Sequence, residues 1–295
     1  MSVLITGRPR AELPRRRGFG RLRSLAVLGP SGAIAAGICV VLVLAALAAP
    51  WLMPHDPYAV DAANVFSGPS TEHPLGTDDT GRDLLSRLLD GARLSLLGPL
   101  LVTLLSAGLG TAVGVLAAWR GGALDAVVAR VLDVMFAFPG IVLAIIVAAL
   151  FGSGFLAPVI ALSLAFLPIT ARVMRAAAMR ERGLPYVEAL RLQGISGPMI
   201  CVRHLVPNLA PLLLVQCTIG FGYAMLDLAA ISFLGLGVQP PASNWGVMVA
   251  NGKGAILDGH PEQSLYAAVV IVIAVVAVNL VGERLAAHYE VGETG

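Results

Sequence analysis

Six stretches of this sequence carry no Asp, Glu, Lys or Arg: residues 24–55, 94–119, 134–171, 204–226, 228–252 and 263–282. A bilayer core about 30 Å thick is crossed by about 20 apolar helical residues. Backbone polar groups in lipid must be satisfied internally, so each crossing has to be a helix. Only 13% of the 295 residues are charged, against about a quarter in soluble domains. So few charges cannot clothe a soluble surface, and so much apolar surface excludes intrinsic disorder. The expectation is an all-α integral membrane protein. The net charge of +2 gives no bulk basic field for nucleic acid.

Two windows need dividing. The window 134–171 is too long for one span and is broken by Phe151-Gly152-Ser153-Gly154 and Pro158, a turn sequence. It reads as helices over roughly 134–151 and 155–173. The window 228–252 contains Pro240-Pro241 and Ser243-Asn244, which a span does not tolerate. Six spans result, the fifth over roughly 205–231. The first is a retained helix rather than a leader, because its apolar run of about twenty residues exceeds the usual 7–15 of a signal peptide. Cys39, Cys201 and Cys217 form no spaced cluster and read as small buried hydrophobes.

Six spans place both termini on one side. That side receives the seven arginines of the N-terminal tail, Arg120, Arg130, Arg172, Arg175, Arg180, Arg182, Arg191, Arg203 and Arg284. The other side keeps Arg82, Arg87, Arg93 and Lys253. The positive-inside rule therefore predicts cytoplasmic termini. The organisation reads as a cytoplasmic tail over 1–30 and a transmembrane domain over 31–295. The latter contains an outer segment (54–93), an inner loop (180–207) and an outer loop (235–262).

Two extramembrane segments are patterned. In the outer one, Thr80 with Asp83 suits a capping box, and Leu84, Leu85, Leu88 and Leu89 share a face. Asp83 and Arg87 are spaced for an i,i+4 ion pair. Such a helix lies on lipid, or forms a lid or platform that meets an extracytoplasmic partner through Asp83 and Arg87. In the inner loop, 186–193 suits a short helix that Gly194 ends in the left-handed conformation. Gly197-Pro198 opens a second short helix, and Pro207 starts the next span. A helix–glycine–helix between two spans makes a rigid knob that can pass force to the bundle.

Three of these segments carry a resemblance. Glu188, Ala189, Gly194, His204 and Pro207 fall at the spacings of the EAA loop of ATP-binding-cassette importer permeases; Leu190 replaces the usual third Ala. His73-Pro74-Leu75-Gly76-Thr77-Asp78 with Gly81-Arg82-Asp83 resembles one signature of the C-type permeases of dipeptide, oligopeptide and nickel importers. Ser232-Phe233-Leu234-Gly235-Leu236-Gly237 with Pro240-Pro241 and Trp245-Gly246 resembles another. The likeness runs from about residue 30 to about 285. It implies a type I importer permease fold, a B-type permease partner, and two ATPase subunits or one fused pair. It also implies a peptide-delivering extracytoplasmic binding protein. Glu188, Ala189, Leu190, Arg191, Gly194, His204 and Pro207 would form the ATPase-coupling surface. ATP and Mg would sit on the partner ATPases, since the chain has no phosphate-cradling G-x-x-x-x-G-K-[ST] sequence.

Ionisable groups within the spans are few. Asp133 has Arg130 three residues before it and reads as a locally paired, snorkelling residue. Asp227 lies inside the fifth span without a local cation, which marks a candidate functional position. Gln216 and Tyr223 precede it by 11 and 4 residues, close to one helical face. The three are candidate lining of a translocation path, with inter-subunit pairing as the rival role for Asp227. The family often carries an acid one position later, at Leu228, so that role does not transfer. Gly110 and Gly114 suit close helix packing. A secondary transporter would need more intramembrane charge and broken helices. A membrane enzyme would need clustered catalytic groups, whereas the five histidines lie at span ends or in loops. Peptide transport is favoured over nickel, because the spans hold no His and almost no acid.

Overall fold

The computed structural model describes residues 24–293, so the tail 1–23 and its seven arginines lie outside the described residues. The architecture is all-α, with no strand among the described residues. The helices are α1 (Ser24–Leu52), α2 (Leu84–Arg120), α3 (Gly122–Phe136), α4 (Gly140–Phe151), α5 (Leu156–Arg182) and α6 (Pro185–Leu192). They continue with α7 (Gly197–Ile200), α8 (Val206–Phe233), α9 (Trp245–Leu257) and α10 (Glu262–Glu293). Five helical stretches are long and apolar enough to cross a membrane. A sixth crossing exists only if α3 and α4 count as one span bent by 78°.

That bend corrects the expected helix over 134–151. Pro139 stands as N-cap of α4 and has no N–H to continue α3. The 12 residues of α4 cover about 18 Å, short of the bilayer core. α3 instead turns aside and is fastened to α5. Arg175 donates two hydrogen bonds to Asp125, at 2.5 and 2.6 Å, and Arg172 meets Asp133 at 2.7 Å. Asp133 therefore pairs across helices and not with Arg130. The expected turn at 152–154 is present, with Gly152 at φ 93 and Gly154 at φ 152.

α2 and α5 form the central pair. A Cβ on Gly110 would stand 2.8 Å from Thr170 Cβ, and one on Gly114 would stand 2.5 Å from Ala171 O. The two glycines thus let the backbones touch, as the GxxxG spacing predicts. α2 has 37 residues, about 55 Å. Its first turns stand beyond the bilayer core and merge the expected outer helix with the second span.

The 235–262 loop is folded rather than loose. Asn244 caps α9 by accepting from Val247 N–H at 2.6 Å. Trp245, 1% exposed, donates from Nε1 to Leu88 O at 3.0 Å and from its backbone N–H to Ser95 Oγ at 2.9 Å. These bonds dock α9 on α2 over a core of Leu84, Leu88, Met225, Met248 and Ala274.

Candidate functional site

The inner loop is built as a knob on a hydrophobic stem. Pro185 opens α6, where its missing N–H is not needed. Val187, with no exposed surface, is packed with Ile200, Leu205, Val115, Met174 and Ala178. Gly194 has φ +77. Its N–H donates to Arg191 O at 2.9 Å, and Ile195 N–H donates to Leu190 O at 3.2 Å, the Schellman closure of a helix. Gly197 lies against the Trp119 ring: a Cβ there would come within 2.9 Å of Cε2. The Arg191 guanidinium sits 4.4 Å from the same ring's centroid.

Polar contacts tie the knob to three helices. Arg182 Nη1 donates to Ala118 O at 2.7 Å, satisfying a carbonyl in the last turn of α2. Tyr186 Oη donates to Glu181 Oε1 at 2.8 Å, and Asn208 Nδ2 donates to the same oxygen at 3.0 Å. Burial, and then that hydrogen bond to the Glu181 carboxylate, push the Tyr186 hydroxyl up to about 12, so it stays protonated as the donor.

The face left outward carries Glu188, Ala189, Arg191, Leu192, Met199 and Val202, all exposed. Leu192 is 85% exposed and Val202 71% among the described residues. Leu190, the departure from the EAA pattern, is half-buried and packs inward against the stem. Its bulk therefore does not disturb the outward face. His204 is half-buried and Pro207 exposed. Pro207 does not start a span, as the sequence implied. α7 runs through a π-helical turn (Cys201–Leu205) directly into α8.

The structure brings Gln216, Tyr223 and Asp227 together. All three line one cavity of ≈ 250 Å³ among α2, α5 and α8, with Thr103, Ser106 and Thr170 across from them. Thr103 Oγ1 is buried without a hydrogen-bond partner. Sequence reasoning missed the three hydroxyls. They come from different helices, and no spacing along the chain links them.

The outer segment departs from expectation. α2 starts at Leu84, not Thr80, and its cap is Asp83, whose Oδ2 accepts from Ser86 N–H at 2.8 Å. Asp83 is 2% exposed and Arg87 0%, and they do not pair with each other. His73 Nδ1 lies 3.1 Å from Asp83 Oδ1, and Arg87 Nη1 lies 3.3 Å from Asp78 Oδ2. Neither side chain has the surface to touch a docking protein, so the expected contact role is not supported. Both hold the segment together. Leu84 and Leu88 likewise face the core instead of lipid.

Asp78, 1% exposed, is the hub. It accepts from Thr80 N–H and Oγ1 at 2.8 and 2.7 Å, and from Arg82 N–H and Nε at 3.0 and 2.8 Å. Burial pushes its carboxyl up, but these donors and the Arg82 charge outweigh it and hold the group below the usual range.

The family described as binding-protein-dependent transport system inner membrane component matches residues 110–291. The chain belongs to that family. Relatives extend the likeness over most of its length. It is 38% identical over 252 residues to a di/tripeptide transport system permease protein of Pseudomonas aeruginosa, covering 83% of each chain. It is 37% identical over 260 residues to a glutathione transport system permease protein of Pectobacterium atrosepticum, covering 86% of this chain and 84% of that one. A dipeptide transport system permease protein of Alkalihalophilus pseudofirmus shares 34% over 277 residues, covering 93% of this chain and 89% of that one. The resemblance read from the three motifs is borne out. For this multi-pass inner membrane component, the family match takes in the whole knob and the α5 and α8 walls of the cavity.

Proposed function

We propose that this chain is the C-type half of a heterodimeric peptide-importer permease. Its B-type partner would complete the cavity. Two ATPase subunits, or one fused pair, would seat on the α6–α7 knob and carry the ATP and Mg. An extracytoplasmic binding protein would deliver the peptide. The reading rests above all on one juxtaposition: an outward apolar and charged face, which nothing among the described residues covers, on a stem continuous with the helix that lines the cavity. The names of the relatives support the peptide class. The cavity chemistry agrees, since the Asp227 carboxylate suits a peptide's ammonium group while Gln216, Thr103, Ser106 and Thr170 suit its amides.

Reconstituted uptake of labelled dipeptides tests the cargo reading. Asp227→Asn is expected to slow uptake of cationic peptides more than neutral ones, with ATPase docking unchanged. An equal effect on both, together with loss of the B-type partner from the purified complex, assigns Asp227 to the subunit interface.

Cytoplasmic placement of the knob predicts a labelling pattern. A cysteine at exposed Ser70 reacts with an impermeant thiol reagent in intact cells, and one at exposed Ser196 reacts only after the membrane is opened. The reverse pattern overturns the orientation. Ser243 is 1% exposed and is no reporter of sidedness.

A further inference from the structure

We propose that His55, His73 and Asp83 form a binding site for a divalent transition-metal ion, Zn²⁺ in the first instance, that staples the outer segment to α2. These three side chains each offer one ligand atom, and the three atoms lie within 4.8 Å of one another. Bonds of about 2.0–2.1 Å in a tetrahedral zinc site set neighbouring ligand atoms about 3.3 Å apart. His73 Nδ1 and Asp83 Oδ1, at 3.1 Å, already stand near that spacing. His55 closes the third corner. Its ring lies beside that of His73, tilted by 37° with centroids 4.7 Å apart, and its Nδ1 is shut off from solvent without any hydrogen-bond partner among the described residues. A buried imidazole nitrogen left unpaired is unfavourable, and a cation drawing the three atoms inward by a small ring rotation removes that cost.

The surroundings suit a metal. Asp83 is held by its other oxygen, Oδ2, which accepts from Ser86 N–H at 2.8 Å and Ser86 Oγ at 2.7 Å. Such hydrogen bonds fix a ligating carboxylate in place. Ser86 Oγ in turn accepts from His55 N–H at 3.2 Å, so one serine orients both. Two imidazoles and one carboxylate select a borderline cation; Mg²⁺ and Ca²⁺ prefer all-oxygen sites. The ligands come from the chain just after α1, from the middle of the 53–83 segment, and from the cap of α2. One ion therefore closes two loops at once, which stabilises the folded segment. None of the three lines the cavity that holds Asp227, so the ion is a structural staple and not cargo.

The test uses the full chain without a histidine tag, in nanodiscs, stripped with a chelator and titrated with Zn²⁺ or Mg²⁺. Calorimetry should give one Zn²⁺ per chain and a rise in melting temperature, and Mg²⁺ should give neither. His55→Gln spares the cap and the His73–Asp83 contact. It should weaken Zn²⁺ binding at least about tenfold, as loss of a supporting group at a metal site does, and leave the metal-free melting temperature unchanged. Should His55→Gln fail to fold, Co²⁺ added to the wild type should still give the absorption bands of a four-coordinate ion. A wild type that neither binds nor is stabilised by Zn²⁺ overturns the site. So does equal Zn²⁺ stabilisation in His55→Gln, or its loss in a His204→Gln/His260→Gln control.

Discussion

Gly194→Val is expected to abolish peptide uptake while the chain still inserts in the membrane. At φ +77 the position is left-handed, which costs a residue with a Cβ roughly 1–2 kcal/mol, more when it is β-branched. Nothing lies within 4 Å of the added Cβ, so the cost is in the backbone alone. The chain relieves it by opening the Schellman closure and re-aiming α6 relative to α7. Gly194→Asn, which tolerates the left-handed region, should keep most of the activity. Glu188→Lys, an exposed reversal on the outward face, should give the same loss without any strain. The measurement is co-purification of the ATPases, plus ATP hydrolysis and uptake in reconstituted membranes, with and without the binding protein. Wild-type coupling in both Gly194→Val and Glu188→Lys would sink the coupling role of the loop.

Asp78→Asn should be the most destabilising single change in the outer segment. It removes the only ion pair that Arg87 makes among the described residues, leaving a guanidinium of 0% exposure without its counter-charge. Breaking a buried pair in this way costs about 3–5 kcal/mol, a large part of an ordinary domain's stability. Removing Arg87's charge as well, in Asp78→Asn/Arg87→Met, should recover part of the loss. The folded Asp78 carboxyl titrates below its usual range. Its contribution is therefore complete above the ordinary carboxylate value, about 4, and is lost as pH falls through the depressed one. Thermal unfolding of wild type and variants between neutral and strongly acidic pH checks both statements. An Asp78→Asn chain as stable as wild type would remove Asp78 from its place as hub.

The knob was legible because its determinants are local. A proline, a glycine and the distances between them set α6 and its end without help from the rest of the chain. The face shared by Gln216, Tyr223 and Asp227 was legible because α8 runs without a further proline from Pro211 to Phe233. The start of α2 was not. The Thr80–Asp83 spacing suits a capping box, but Gly81 takes φ +79, where a Cβ would collide with the Asp61 backbone. No helix can pass that point, so Asp83 becomes the cap instead of the third helical residue. The i,i+4 rule then fails for Asp83 and Arg87, because it holds only when both residues are inside the helix. The α3–α4 bend was hidden for a different reason. Hydropathy registers how apolar a stretch is and says nothing of its direction, so Pro139 looked like one more residue within a long apolar window.

The unbroken run from α7 into α8 has a mechanical consequence. Within eleven residues it contains the wide π-helical turn at Cys201–Leu205, Pro207 and Pro211. Each proline deletes a rung of the hydrogen-bond ladder, so this stretch is the compliant elbow of an otherwise stiff crank. Asp227 stands sixteen residues beyond Pro211, about 24 Å along the axis. A tilt of roughly 10° at the elbow therefore sweeps that carboxylate through about 4 Å over the same helical rise, a side chain's width gained from a movement far smaller at the end where α6 and α7 sit.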